Sequence, residues 1–150
     1  MNVAALLKAK GSRVVTTRRE TPIQTVMHRM ALERIGALIV TGPGDERIVG
    51  IISERDIVRG MAEHGVAVLN MRVSGLMTYA VKTCAPHDSL KHVMAVMTLG
   101  RVRHLPVVDG PRLCGMVSIG DVVKNRLQEM ELEVNVLRDA CMAGRLALAS

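Results

Sequence analysis

Serine and aspartate stand three residues apart at two places in this chain. Ser53 and Asp56 lie in "GIISERDIV" (50–58), and Ser118 and Asp121 lie in "GMVSIGDVV" (115–123). Each pair follows a glycine and two aliphatic residues and precedes a further aliphatic run. S-x-x-D ahead of an apolar run is a capping-box pattern, in which serine caps a helix and an acidic residue occupies its third position. Three features carry the pairs beyond capping. A strand runs straight into the helix start, where free N–H groups and the positive dipole end suit a phosphate. Caps also accept Thr, Asn or Asp, yet both copies hold Ser and Asp. Basic groups recur just ahead of the preceding strand: Arg34 in one copy, and Arg101, Arg103 and His104 in the other. A carboxylate beside cations at a helix start can hold ribose hydroxyls and phosphate together, and an acidic residue accepts from ribose hydroxyls in dinucleotide sites of another fold.

The elements that position these residues are themselves doubled. A shift of 67 superposes 14–42 on 81–109 without a gap. Identities include Val26/Val93, Met27/Met94, Met30/Met97, Arg34/Arg101, Leu38/Leu105 and Val40/Val107. The shift falls to 65 at Gly50/Gly115, so the first copy carries two extra residues in "TGPGDERIV" (41–49), a Gly/Pro-rich turn. Each copy opens on an extended piece ("RVVTT", "AVKTC"). A helix follows with its apolar residues on one face: Ile23, Val26, Met27, Met30, and again Leu90, Val93, Met94, Met97. Two unbroken aliphatic strands and a second helix complete a β-α-β-β-α unit. A unit this small buries too little surface alone, so the expected fold is α+β, with two pseudo-symmetric repeats packed sheet to sheet and two clefts between them. The expected boundaries are repeat one over 10–65, a link with one short helix over 66–77, repeat two over 78–129, and a C-terminal extension over 130–150. A short helix covers "VAALLKAK". In the last helix Val123, Leu127, Met130, Val134, Leu137 and Cys141 follow 4,3,4,3,4 spacing. Two readings stand: a coiled-coil seam, or a helix laid on its own domain. Either stripe invites a homodimer.

Composition narrows the function. Aromatics are one Tyr with no Phe or Trp, so the core is aliphatic, filled out by 11 Met. Net charge is +6, which suits anionic partners. The charges are scattered, and single-strand nucleic-acid binders need aromatic platforms that this chain lacks, so nucleic acid is disfavoured. The first residues are too short and too lightly apolar for a signal or a span, so no membrane is expected. Three cysteines without CxxC spacing read as reduced thiols of a cytoplasmic protein. Cys84, His87 and Asp88 adjoin in "TCAPHDS", but adjacency in sequence does not make a triad. The stretch reads as a turn and helix cap, with Pro86 and Asp88 in their usual roles. The histidines show no HxxxH or HExxH pattern, so no metal site is expected.

The doubled unit, "HLPVVD" followed by "CGMVSIGD", and "GALIV" with "VGIISERD", resembles the cystathionine-beta-synthase (CBS) domain family, over residues 10 to 129. Two tandem copies form a CBS pair, or Bateman module, here similar to stand-alone bacterial examples. The resemblance implies regulatory binding of adenosyl compounds and no catalysis. AMP leads, and ATP, ADP or NAD are alternatives to it. It implies that Asp56 and Asp121 bind ribose hydroxyls and that Ser53 and Ser118 sit at the ribose–phosphate end. Ile35, Gly36 and Ala37 would line adenine in one cleft, with Val102, Arg103 and His104 at the matching places in the other. Val15 and Lys82 would flank the base. Arg55 stands before its Asp where the second copy has Gly120, so the two sites should differ in affinity. Arg103 and His104 would reach phosphates across the cleft, and Lys10 is a further phosphate candidate. The expected protein is a homodimer that signals to an unidentified effector. The rival reading is a basic nucleic-acid-binding or protein-interaction scaffold whose Ser/Asp pairs are only caps.

Overall fold

The computed structural model describes residues 1–44 and 47–149. The turn expected over 41–49 runs through Asp45 and Glu46, which lie outside the described residues. Strand β1 (Thr16–Thr17) runs parallel to β2 (Ala37–Thr41), which pairs antiparallel with β3 (Ile48–Ser53). Strands β4 (His104–Asp109) and β5 (Arg112–Ser118) form the second sheet. The registers repeat faithfully: Ala37 faces Ser53 as His104 faces Ser118, and Val40 faces Gly50 as Val107 faces Gly115. The copies diverge at the opening strand. In place of a counterpart to β1, Cys84 alone bridges to Val107, through Cys84 N–H to the Pro106 carbonyl (3.0 Å) and Val108 N–H to the Cys84 carbonyl (2.9 Å).

Helices α1 (Val3–Lys10), α2 (Ile23–Glu33), α3 (Glu54–His64), α4 (Leu90–Gly100) and α5 (Ile119–Ala149) alternate with the strands. Residues 66–77 were expected to hold one short helix. They lie instead in two 3-10 turns, Gly65–Asn70 and Val73–Gly75. Ser89, not Asp88, caps α4 by accepting from His92 N–H, while Asp88 closes the preceding turn onto Ala85 N–H.

Each copy lends its opening segment to the other. Val3, Leu6 and Leu7 of α1 are buried with Leu90, Val93 and Leu105 of the second copy. Val68, Val73 and Met77 are buried with Ile23, Val26 and Leu38 of the first. The hydrogen bonds match: Val3 N–H to the Asp88 carbonyl as Val73 N–H to that of Thr21, and Leu90 N–H to the Met1 carbonyl as Ile23 N–H to that of Met71. The chain therefore repeats in a further register, at a shift of 70, visible as Met1/Met71, Val3/Val73 and Leu6/Leu76. This exchange explains the glycine ahead of each Ser/Asp pair. A Cβ on Gly50 would meet the Met77 sulfur and the Thr78 carbonyl oxygen at 2.9 Å, and one on Gly115 would meet the Leu7 methyls at 2.9 Å. The lent segment crosses its host strand at a backbone-to-side-chain approach that only glycine leaves open.

Helix α5 begins inside the second copy, where Val122 and Asn125 are buried, and then leaves it. Residues 131–149 are exposed on every face. Of the two readings of its apolar stripe, a helix laid on its own domain is therefore not what the chain adopts.

Candidate functional site

The strand-to-helix junctions position both Ser/Asp pairs. At β3–α3 the Ser53 hydroxyl accepts from Asp56 N–H, and the Asp56 carboxylate accepts from Ser53 N–H at 2.9 Å. At β5–α5 Ser118 accepts from Asp121 N–H at 3.2 Å, and Asp121 accepts from Ser118 N–H at 2.8 Å. Both are reciprocal capping boxes. Beyond the boxes the two aspartates differ.

Asp56 is closed off. Only 9% of it is exposed. One carboxylate oxygen takes the Ser53 amide and hydroxyl, and the other takes the Thr78 hydroxyl at 3.2 Å. Thr78 belongs to the lent segment, which pairs with β3 at Ile51. Around it, the Arg55 guanidinium donates to the Arg101 carbonyl at 3.2 Å, and the Lys82 side chain lies over Gly100. Val102 packs against the second-copy core, and the Arg103 carbonyl accepts from Ile119 N–H at 2.8 Å.

Asp121 opens onto a cavity of about 290 Å³ between the copies. Val15, Ile35 and Met116 are its apolar lining, with Gly36 and Ala37. Its polar lining is Lys10, Arg13 and Arg34 with His104, Ser118 and Asp121. Eight expected site residues thus come together here: Lys10, Val15, Ile35, Gly36, Ala37, His104, Ser118 and Asp121. His104 joins this cavity instead of the side holding Val102 and Arg103, because β4 starts at His104 directly opposite Ser118. Its ring lies over Gly36, where a Cβ would stand 3.3 Å from the imidazole.

The cavity's electrostatics centre on one ion pair. Lys10 Nζ lies 2.6 Å from Asp121 Oδ2. Burial works to raise the Asp121 carboxyl, but the Lys10 ammonium and the Ser118 amide and hydroxyl outweigh it and hold the group below the usual carboxylate range. Burial lowers His104, against the pull of Glu54 and Asp121, so its imidazole is neutral at pH 7. Arg34, and Arg101 at the equivalent place, cap their helices in the left-handed conformation with φ of 53° and 51°. Such a backbone disfavours any residue but glycine, Asn or Asp. Both copies nonetheless hold arginine there, and Arg34 lines the cavity.

Three participants escaped the sequence reading. Met116 lies two residues before Ser118 and so shares its strand face, a signal available from alternation alone. Arg13 sat inside the opening strand motif. Thr78 becomes visible only through the 70-residue register.

The apparent Cys84–His87–Asp88 cluster carries no nucleophile. Burial, with Asp88 second, pushes the Cys84 thiol up to about 11, and His87 is largely solvent-exposed with its Nε2 3.9 Å from Asp88. Among the described residues no group of three or more His, Cys, Asp or Glu is placed to hold a metal ion. Likewise, no helix is long and apolar enough to cross a membrane. A larger concavity, about 890 Å³, separates α4 from α5, but its walls are mostly helical and apolar.

A family model described as "CBS domain" matches residues 11–63 and 73–127. A mitochondrial CBS domain-containing protein of Arabidopsis thaliana is 34% identical over 91% of this chain and 67% of its own length. Two further curated relatives are matched over only 32% and 22% of their lengths. The crystal structure of a CBS-domain containing protein from Agrobacterium tumefaciens is 41% identical, with a TM-score of 0.81, over 83% of this chain and 92% of its own. The CBS domain pair of protein MJ0100, solved in complex with 5′-methylthioadenosine and S-adenosyl-L-methionine, has a TM-score of 0.76 at 22% identity, over 86% of this chain and 98% of its own.

Proposed function

The chain belongs to the CBS domain family, and from that premise we propose that it is a cytoplasmic regulatory module, without catalysis of its own. It binds an adenosyl ligand, AMP foremost, in the Asp121 cavity and passes the bound state to an effector protein. The single observation that carries this is the cavity itself: a partly exposed carboxylate on a helix start, lined together with three cations and with Val15, Ile35 and Met116. The carboxylate accepts from ribose hydroxyls, the cations meet a phosphate, and the base lies between Val15, Ile35 and Met116 with no aromatic platform. At about 290 Å³ the space sits at the low end of ligand pockets, which favours a nucleoside monophosphate over a dinucleotide. A pair of this fold accepts adenosyl ligands in MJ0100. The Asp56 carboxylate is only 9% exposed and both its oxygens already accept hydrogen bonds, so one site per chain is expected.

Signal transfer follows from what the ligand displaces. A ribose on Asp121 competes with Lys10, the last residue of α1, and Asp121 stands in the first turn of α5. Ligand binding therefore trades a contact between the lent segment and the long helix for contacts of its own. A second copy completes the assembly in this reading. It is supported by exposed apolar side chains at equivalent helical positions, Leu32 and Leu99 (85% and 86% exposed) and Val58 and Val123.

Titration calorimetry with AMP, ADP, ATP, NAD, S-adenosylmethionine and GMP tests the function. Binding of one adenosyl compound at one per chain, above GMP, is the expected result. Binding of none, with a salt-sensitive affinity for a short DNA duplex, would return the Ser/Asp pairs to capping and move the function to the basic surface.

A further inference from the structure

We propose that the protruding half of α5 pairs with the same segment of a second copy as a parallel, in-register two-stranded coiled coil. The proposal rests on the homodimer reading above and is independent of the nucleotide reading. From residue 131 to 149 the helix runs about 28 Å at 1.5 Å per residue, exposed throughout. An isolated helix of this length is marginal in water, and one that exposes an apolar stripe needs a cover. Leu127, Met130, Val134, Leu137, Cys141 and Leu148 fall on the a and d positions of one heptad frame. Gly144 loosens the last d position.

The flanking charges choose the occupant and its direction. In that frame Arg126 and Glu133 take g positions, and Glu131 and Arg138 take e positions. A parallel partner sets each g residue against the e residue five positions further on. Arg126 then faces Glu131 of the second copy, and Glu133 faces Arg138, with both pairs repeated by symmetry. All four contacts are attractive. Reversing the second helix about Val134 and Leu137 keeps Glu131 facing Arg138 but sets Lys124 against Arg145 and leaves Glu133 facing Ala140. The parallel direction thus makes four attractions and no repulsion, whereas the reversed one sets two attractions against two repulsions. The stripe starts in the helix whose first turn holds Asp121, so the coiled coil continues directly from the nucleotide cleft.

Sedimentation of the full chain, with Glu133→Arg and Glu133→Arg/Arg138→Glu, tests the pairing. Both positions are exposed, so the fold of each copy is spared. Glu133→Arg should weaken the dimer on the order of tenfold, as two attractions become repulsions, and the double variant should restore it. Mild oxidation in a Cys114→Ser background should link the copies through Cys141, which a parallel register brings face to face. A monomer at all concentrations would overturn the homodimer reading and this one together. A dimer indifferent to Glu133→Arg and to Leu137→Glu would keep the homodimer and overturn the helix pairing. A dimer lost in Leu137→Glu but without Cys141 linkage or charge-swap rescue would overturn the parallel direction.

Discussion

Replacing Asp121 and Asp56 one at a time separates a ligand-binding carboxylate from a structural one. Asp121→Ala removes the acceptor for Ser118 N–H, a capping loss of about 1 kcal/mol. It also removes the Lys10 ion pair, whose side chains are 33% and 24% exposed and which contributes no more than about 1 kcal/mol after solvent screening. The sum, about 1–2 kcal/mol, corresponds to a fall in Tm of about 2–8 °C for a chain of this size. Asp56→Ala should cost more. The Asp56 carboxylate, itself 9% exposed, accepts from the Ser53 amide and hydroxyl and the Thr78 hydroxyl, and losing these charge-assisted bonds costs about 1–3 kcal/mol beyond the cap. Ligand at a hundred times its dissociation constant adds about 2.7 kcal/mol to a competent protein, a rise of about 5–11 °C. Scanning calorimetry is the assay, since the chain has no Trp to report unfolding. The expected pattern crosses over: Asp121→Ala loses little stability and nearly all of the AMP shift, and Asp56→Ala loses more stability and keeps the shift. Full retention of the shift in Asp121→Ala, with its loss in Asp56→Ala, would refute the assignment of the cleft. Retention in both would refute a ribose role for either carboxylate.

Lys10→Met should relieve the competition at Asp121, so adenosine binds more tightly while AMP gains less or loses affinity, and paired titrations read the ratio. Burial depresses His104 in the folded protein, so between that value and its ordinary 6.5 the unfolded chain binds more protons. Stability is then fully present above 6.5 and declines as pH falls through this window, and His104→Gln should flatten that slope in melts between pH 7.5 and 5.5. Protonated His104 adds a cation to the cavity, so AMP affinity should rise over the same interval. Gly50→Ala should destabilise by about 2–3 kcal/mol and Gly115→Ala by about 1 kcal/mol, because a backbone carbonyl blocks the first Cβ and only flexible Leu7 methyls block the second; urea melts compare them.

The features that were legible in the chain are those that local chemistry dictates. Aliphatic runs and 3,1,3 spacing give the strands and helices, and S-x-x-D before an apolar run gives both capping boxes. The 67- and 65-residue shifts reappear as strand register down to the facing pairs Ala37/Ser53 and His104/Ser118. Long-range exchange was hidden, because nothing in 1–10 or 71–80 announces locally which copy it will join. That exchange is also what separates the two clefts. The segment laid beside β3 brings a threonine to Asp56, and the one laid beside β5 brings a lysine to Asp121. A hydroxyl can satisfy a carboxylate in a buried, neutral setting. An ammonium needs solvent and so keeps its cleft open. Thr78 and Lys10 do not hold strictly equivalent places, yet each reaches the aspartate of the other copy. The asymmetry of the clefts thus originates in the segments that cross between copies, and exchanging those two residue types, by Lys10→Thr with Thr78→Lys, should shift the open cleft toward Asp56. Crystallography of that variant with AMP decides it: nucleotide at Asp56 is the expected result, and nucleotide still at Asp121 would place the asymmetry elsewhere.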